Sequence, residues 1–451
     1  MSRRRVILIS FFVIVSSILV VVVLFSKGLI SKNNMIYVHK VLGVESAGPQ
    51  TRLLYPSAGC GDYLGLRVPG DNEEHLVIVS ARNWSVVNYL PFPFSSRKMG
   101  AFRSIDICNG TAYVLTMLPG KVLQIVSRTN VTRVINNVTT VISLVRYIGS
   151  FTSLIYRVDR HGLRLLVNTS LFAPSMVLEK NYIVLVGVNG SRFYYDPGGK
   201  HWWHPVIELR SHNGRLLARR VLGWNISDNE LGGVLVDTRV IDLGHGLFLA
   251  VFGSRPNTIN LSDIPRKLLL GLFRIEGYQI EPIRLFVFPK PGIYNILHAA
   301  LYHGRLYVLY QAPGKWPSFY PEVYVYDARS GRLILVARSS SSGVRSGCFV
   351  VYKNRVYVVV FVPLLASSGF LPKSAALVVL YSISSRGLSV VAKYPVRIHG
   401  YVDWDFTEYN HQLRDLDNDG AVDIVNKAFS VSFFGGSGAN KVYLIDFELK
   451  R

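Results

Sequence analysis

The sequence predicts an all-β body built from repeated units and carried on a single N-terminal membrane helix. Three observations lead there. One uncharged apolar run opens the chain. Beyond it, short β-branched and aromatic runs alternate with Gly, Asn, Asp and Pro, and no amphipathic helical period appears. Several of these runs follow one template. Of the 451 residues 49% are hydrophobic and 17% charged, which excludes a disordered chain. The length leaves room for one very large domain or about three ordinary ones.

The apolar run is Val6 to Phe25, preceded by Arg3, Arg4 and Arg5. At about 1.5 Å rise per residue it spans roughly 30 Å of hydrocarbon. A cleaved signal peptide has a shorter apolar stretch and a small-x-small site, which Phe25-Ser-Lys-Gly-Leu-Ile-Ser-Lys32 does not offer. The expectation is an uncleaved signal-anchor over 6–26 with a cytoplasmic tail at 1–5, a stalk at 27–50 and the β body at 51–451. The Arg triplet favours a cytoplasmic N-terminus. Orientation also follows from Asn-x-Ser/Thr sequons at Asn83, Asn109, Asn130, Asn137, Asn168, Asn189, Asn225 and Asn260, since N-glycosylation requires exposure outside the cytoplasm. The body is therefore expected to be extracellular and glycosylated. No sequon falls in the C-terminal stretch from about 263 onward. Cys60, Cys108 and Cys348 are too few for a disulfide framework; a Cys60–Cys108 bridge and buried free thiols both remain open.

The repeated template is a polar turn, a strand, a loop, a second strand, a polar turn and a third strand. Its clearest copy is His303-Gly-Arg-Leu-Tyr-Val-Leu-Tyr310, then Glu322-Val-Tyr-Val-Tyr-Asp327, then Ala328-Arg-Ser-Gly331, then Arg332-Leu-Ile-Leu-Val-Ala337. Looser copies begin at Asn109, Asn181, His245 and Lys353, and weaker ones near Glu74, Val141 and Ala421, giving eight candidates. Such a unit cannot bury both faces of its sheet alone, so copies must stack, and radial closure protects their edges. The pattern resembles β-propellers, especially quinoprotein-like and kelch-like blades with a Tyr-Val-Tyr-Asp-x-x-Ser-Gly hairpin, without a Trp-Asp signature. It implies a propeller of seven or eight blades. Two stacked β-sandwiches are the alternative, disfavoured by about 400 residues without a linker.

One motif carries definite chemistry. Asp415-Leu-Asp417-Asn-Asp419-Gly420-Ala421-Val-Asp423-Ile-Val reads D-x-D-x-D-G-x-x-D-I-V. Carboxylates at alternate positions, with Gly at the sixth, let a tight loop turn its oxygens toward one centre, and Ca²⁺ takes 6–8 oxygens at about 2.3–2.6 Å. The expected ligands are the side chains of Asp415, Asp417, Asp419 and Asp423 and the carbonyl of Ala421. Position 12 is Asn426 rather than Glu, so the loop is a poor EF-hand. It is similar to the calcium loop of FG-GAP or VCBS-type propeller repeats, as in integrin α-chains, which implies a loop between adjacent strands of a blade. A solvated acidic hairpin is the alternative, at the cost of mutual repulsion among the carboxylates. A saturated oxygen cage with no adjacent base implies a structural ion.

Weaker constellations are the loop His201-Trp202-Trp203-His204, suited to sugar stacking, metal binding or simple packing between blades; Asp403-Trp-Asp405-Phe-Thr-Glu408-Tyr-Asn-His411, suited to glycosidase carboxylates or a supporting role; and Ala312-Pro-Gly-Lys-Trp316-Pro-Ser-Phe319-Tyr320-Pro321, an aromatic loop suited to a partner or to packing. No Gly-x-Ser-x-Gly elbow, His-Glu-x-x-His, phosphate loop or nucleic-acid module is present. The leading expectation is a binding or scaffolding module at the cell surface with one structural calcium and a protein or glycan partner. The alternative is a surface enzyme, polysaccharide-active or quinoprotein-like, using the propeller channel. The net charge is +22, yet residues 401–423 hold seven acids and one base, an island of −6. The surrounding positive charge is expected to face an anionic envelope, glycans or lipid headgroups rather than nucleic acid.

Overall fold

In a computed structural model, the described residues are 35–450 apart from 46–50, 69–73, 93–100, 136–137, 190–192, 196–201, 225, 228–234, 256–267, 291, 293–294, 314–318, 328–329, 340–342, 364–374, 385–386, 398–400, 405–408 and 432–440. The expected anchor, 6–26, lies outside them, and no helix among them is long and apolar enough to cross a membrane.

Among the described residues seven antiparallel sheets follow one another as blades, six of four strands and one, the second, of five. Strand β1 (Ile36–Glu45) comes first but belongs to the last blade. Blade 1 is β2 (Arg52–Leu54), β3 (Tyr63–Val68), β4 (Glu74–Ser80) and β5 (Ser85–Phe92). Blade 2 is β6 (Ala101–Cys108), β7 (Thr111–Ile135), β8 (Val138–Asp159) and β9 (Gly162–Thr169). Blade 3 is β10 (Leu171–Leu178), β11 (Ile183–Asn189), then, past the short β12 (Phe193–Tyr195) and β13 (Trp202–Trp203), β14 (Pro205–Arg210) and β15 (Leu216–Val221). β12 pairs with β8, and β13 with the two-residue β16 (Ile226–Ser227). Blade 4 is β17 (Leu235–Gly244), β18 (Leu247–Arg255), β19 (Leu268–Glu276) and β20 (Gln279–Phe288). Blade 5 is β21 (Ile296–Tyr302), β22 (Arg305–Pro313), β23 (Phe319–Asp327) and β24 (Arg332–Arg338). Blade 6 is β25 (Ser346–Tyr352), β26 (Arg355–Pro363), β27 (Ala375–Ser384) and β28 (Gly387–Arg397). Blade 7 is β29 (Tyr401–Trp404), β30 (Ile424–Val431) and β31 (Lys441–Leu449), with β1 as its fourth strand. Ile36 pairs with Leu449 and Glu45 with Lys441, so the ring is closed by pairing the first described strand with the last.

Two expectations are corrected here. The eighth candidate repeat, near Val141, is part of β8; β7 runs on past its last β6 partner, Met117, and forms a long ribbon with β8. The strands there are extended and alternating, so they resemble a blade locally, while they pair as a hairpin joined only by the three-residue β12. Within the span read as a stalk, Ile36–Glu45 is a propeller strand; its partner lies some 400 residues away, beyond the reach of local pattern.

The core explains the repeats. There are seven hydrophobic clusters, one at each blade-to-blade interface. Period-two alternation serves two interfaces at once. On β18, Phe248, Ala250 and Phe252 pack against blade 3, while Leu247, Leu249 and Val251 pack against blade 5. Each such fully buried aliphatic or aromatic side chain contributes about 1.5–3 kcal/mol. A sheet apolar on both faces accounts for the mean hydropathy of +0.28 alongside the N-terminal run. First strands such as β10 are buried throughout, whereas fourth strands such as β20 are largely exposed, so the first strands line the axis.

Antiparallel order fixes two faces. The turns after first and third strands lie on one face, and the turns after second strands and the links between blades lie on the other. The 405–423 connection follows a first strand, β29, so its face is called the loop face. Ile36 enters β1 there, opposite the end of β31. The β7–β8 ribbon points away from the opposite face.

Candidate metal centre and channel plug

The connection between β29 and β30 does two things: residues 409–413 cross the axis, and residues 415–423 coil into the acidic loop.

The loop is built by its own carboxylates. Asp415 accepts hydrogen bonds from the Asn418 N–H at 2.6 Å and the Gly420 N–H at 2.7 Å. Asp417 accepts from Asp419 N–H at 3.1 Å, and Asp419 from Ala421 N–H at 2.7 Å. Asp423 accepts from Leu416 N–H. Asn418 and Gly420 take φ of 64° and 89°, left-handed values that Asn and Gly tolerate best. The neck is closed by Asp423 N–H to Arg414 O at 3.2 Å and by Tyr55 of blade 1, whose hydroxyl accepts the Arg414 N–H at 2.9 Å and lies 3.2 Å from Asp423 O.

Asp415, Asp417 and Asp423 bring one carboxylate oxygen each within 4.8 Å of one another. Asp419 instead groups with His39 of β1 and Glu448 of β31. Ala421 sits in the loop, buried to 9% exposure. A third group, Asp423, Asp446 and Glu448, is fully buried. Asp446 and Glu448 escaped the sequence reading. Their signal was an acid pair two residues apart within the apolar strand Tyr443-Leu-Ile-Asp446-Phe-Glu448-Leu449, on one side of the sheet. Lys40, also on β1, contacts Asp417. Burial pushes Asp417 up, but Lys40 and the Asp419 N–H outweigh it and hold the carboxyl below its usual range. Burial and the neighbouring carboxylate Asp423 push Asp446 up to about 10. The two all-carboxylate groups, Asp415–Asp417–Asp423 and Asp423–Asp446–Glu448, offer hard oxygen donors that suit Ca²⁺ or Mg²⁺ rather than a soft metal.

The second feature lies on the axis. His411, 2% exposed, places Nε2 2.9 Å from Asp106 Oδ2 on β6 and Nδ1 3.5 Å from Asp242 Oδ2 on β17. Asn410 accepts the Asp242 N–H at 2.7 Å through its carbonyl and the Arg239 Nε–H at 2.9 Å through its side chain. Gln412 donates to the carbonyls of Asp242 and Ala299 at 3.1 and 3.0 Å. Burial by itself lowers the His411 pKa, but Asp106 and Asp242 reverse this and carry it up to about 10, so the ring is an imidazolium. His298 on β21 goes the other way. Burial takes it down to about 3, and its Nδ1 accepts the Phe349 N–H at 2.9 Å, which leaves the proton on Nε2, 3.3 Å from His411 O. Glu179, beside this cluster, is raised to about 8 by burial and then by Asp242. At the other end of the same first strands, Arg103 of β6 pairs with Asp237 of β17.

The chemistry of the axis is therefore that of a clamp. One cation sits between two carboxylates drawn from blades 2 and 4, and the neighbouring histidine is neutral and held at both nitrogens. Of the constellation Asp403, Asp405, Glu408 and His411, the structure brings His411 to the axis; Asp405 and Glu408 lie outside the described residues. Of the His201–His204 loop, Trp202 and Trp203 pair with β16, and His204 is exposed. Of the aromatic stretch 312–321, residues 314–318 with Trp316 lie outside the described residues; at the start of β23, Arg345 and Arg338 lie 5.8 and 5.3 Å over the rings of Phe319 and Tyr320. Cys60 and Cys108 are joined, stapling blade 1 to blade 2, and Cys348 is a buried thiol raised by desolvation. Asn83, Asn109, Asn168 and Asn189 are exposed; Asn130 lies on β7; Asn137, Asn225 and Asn260 are outside the described residues.

No family model matches the chain, and no curated protein matches it. Solved structures do resemble it at the level of fold. The β-propeller domain of the Trilobed protease from Pyrococcus furiosus, described as having an open velcro topology, aligns at 11% identity over 87% of this chain and 97% of that one, with a TM-score of 0.37. The Dos1 propeller aligns at 9% identity over 91% and 95%, with a TM-score of 0.39. Trypanosoma rangeli sialidase aligns at 10% identity over 91% of this chain and 60% of that one, with a TM-score of 0.32. The chain is a seven-bladed β-propeller on its own strand order.

Proposed function

We propose that this propeller is a membrane-anchored, extracellular binding or scaffolding module of the FG-GAP/VCBS-like kind, with a structural Ca²⁺ held by Asp415, Asp417, Asp419, the Ala421 carbonyl and Asp423. The observation that carries this reading is directional. The first described strand enters at Ile36 on the loop face, so an anchor at 6–26 joins that face and turns the opposite face outward. The outward face then presents the β7–β8 ribbon and, at the start of β23, the rings of Phe319 and Tyr320.

Other features agree. The Cys60–Cys108 bridge suits a compartment that is not reducing. Four sequons are exposed, all on blades 1 to 3. Asn83 and Asn109 sit in loop-face turns, while Asn168 and Asn189 sit at strand ends toward the opposite face. Glycans there would obstruct both faces of that half and leave the outward side of blades 5 to 7 for a protein or glycan partner. A channel enzyme needs free polar groups around an open axis. Here, among the described residues, Asp106, Asp242 and Arg239 on the loop-face end are engaged by residues 410–412, which favours binding over catalysis.

Glycan mapping combined with cross-linking to neighbours on intact cells tests the reading. Cross-links concentrated on blades 5 to 7, at the outward face, are expected. A partner seated over residues 83–262, or a body accessible only from the cytoplasm, overturns it.

A further inference from the structure

Asp423 has carboxylate neighbours on two sides. Toward the loop it meets Asp415 and Asp417; toward the sheet it meets Asp446 and Glu448 of β31. The second group is the more deeply buried, with Asp423, Asp446 and Glu448 exposed by only 3%, 1% and 1%. Both carboxylate oxygens of Asp446 are buried without a hydrogen-bond donor. Lys40 stands directly across the ladder from Asp446, yet its ammonium turns to Asp417. Glu448 is oriented by the Tyr37 hydroxyl, which donates to Oε2 at 2.5 Å, and by His39 Nδ1, 2.7 Å from Oε1. Each of its oxygens keeps a further lone pair.

A carboxylate sealed from water with no donor at either oxygen is a costly arrangement that a cation relieves. The charge count points the same way. In the metal-bound state all six carboxylates (Asp415, Asp417, Asp419, Asp423, Asp446 and Glu448) are ionised, and with the ammonium of Lys40 beside Asp417 they sum to −5. One divalent ion leaves −3, and two leave −1.

We propose that Asp423, Asp446 and Glu448 form a second divalent-cation position beside the loop position, with Asp423 shared between them, so that the chain takes a pair of Ca²⁺ ions. The proposal rests on the calcium reading of the loop and goes beyond it. The second ion is held by the closing blade itself. It links the 415–423 loop to β31, the strand against which β1 closes the ring.

The test is Ca²⁺ stoichiometry on the full chain, detergent-solubilised and stripped of metal, by titration calorimetry with bound calcium counted by mass spectrometry. Wild type is expected to bind two Ca²⁺, and Asp446→Asn to bind one. In chelator the Asp446→Asn chain is expected to melt at or above wild type, because an isosteric amide relieves the crowded acids; this shows that the variant folds. One Ca²⁺ in both chains overturns the second position and leaves the loop site standing. One Ca²⁺ in wild type and none in Asp446→Asn overturns the pair in favour of a single shared ion. No Ca²⁺ in either overturns this proposal and the loop reading together.

Discussion

His411 Nε2 lies 2.9 Å from Oδ2 of Asp106, a residue 305 positions earlier in the chain and five blades distant when counted along it. With Asp242 on its other nitrogen, the imidazolium ties blades 2, 4 and 7 together across the axis. Removing one partner from such a buried set leaves uncompensated charge, a loss of about 3–5 kcal/mol. His411→Ala is expected to lower unfolding stability by that order in urea denaturation. A loss below about 1 kcal/mol would show that the axis is not held by charge.

The same group sets a pH dependence. The folded pKa of His411, about 10, exceeds the ordinary 6.5, so its stabilisation is fully present below pH 6.5 and is lost as pH rises through 10. Glu179 acts in the same direction, because its folded pKa of about 8 exceeds the ordinary 4.5 and its contribution fades between those values. Denaturation midpoints are expected to fall between pH 6.5 and 10, and the slope to flatten in His411→Asn. A midpoint rising over that window contradicts the assignment.

Calcium is expected to stabilise the chain. With free Ca²⁺ at one hundred times its dissociation constant, one site adds about 2.7 kcal/mol. Chelation should therefore lower the melting temperature by several degrees, and Asp417→Asn should reduce that response. A melting curve indifferent to chelator counts against the loop as a calcium site.

The Cys60–Cys108 bridge closes a loop with a sequence separation of 48. Replacing both with Ser is expected to cost about 2–4 kcal/mol. Reductant should reproduce most of that loss in wild type and none in the double variant, read by thermal melting.

Deleting Ile36–Glu45 strips the outer edge of blade 7 and exposes β31 as an unpaired strand. Such an edge recruits other strands. The deletion is expected to shift the protein from monodisperse to aggregated on sizing columns. An unchanged elution profile would show that the closing strand is dispensable.

What could be read in the sequence depended on whether the signal was local. Strands β22, β23 and β24 were legible because turn residues and period-two alternation sit within forty positions of one another. The carboxylates of 415–423 were legible because a tight loop imposes its own spacing. Ile36–Glu45 read as stalk, because nothing near it says that Lys441–Leu449 is its partner. Asp446 and Glu448 reach the acidic loop through strand register alone. The axis cluster left a faint mark, a single acid in an otherwise apolar first strand, as in Ser104-Ile-Asp106-Ile107 and Val240-Ile-Asp242-Leu243. Ring closure superimposes these lone acids, and only the fold makes their convergence visible. The candidate near Val141 misled for the converse reason: a ribbon has the alternation of a blade without a blade's four strands.

The pairing of Ile36–Glu45 with Lys441–Leu449 also sets an order of assembly. Blades 1 to 6 draw all four of their strands from contiguous stretches and can form in turn as the chain leaves the ribosome. Blade 7 must wait, because β1 is completed by β31, about 400 residues later. Its ladder is the least local in the molecule, and long-range pairing of this kind is slow. Until Lys441–Leu449 is made, β1 is an orphan strand. Premature termination anywhere before Lys441 leaves not a smaller ring but an open one.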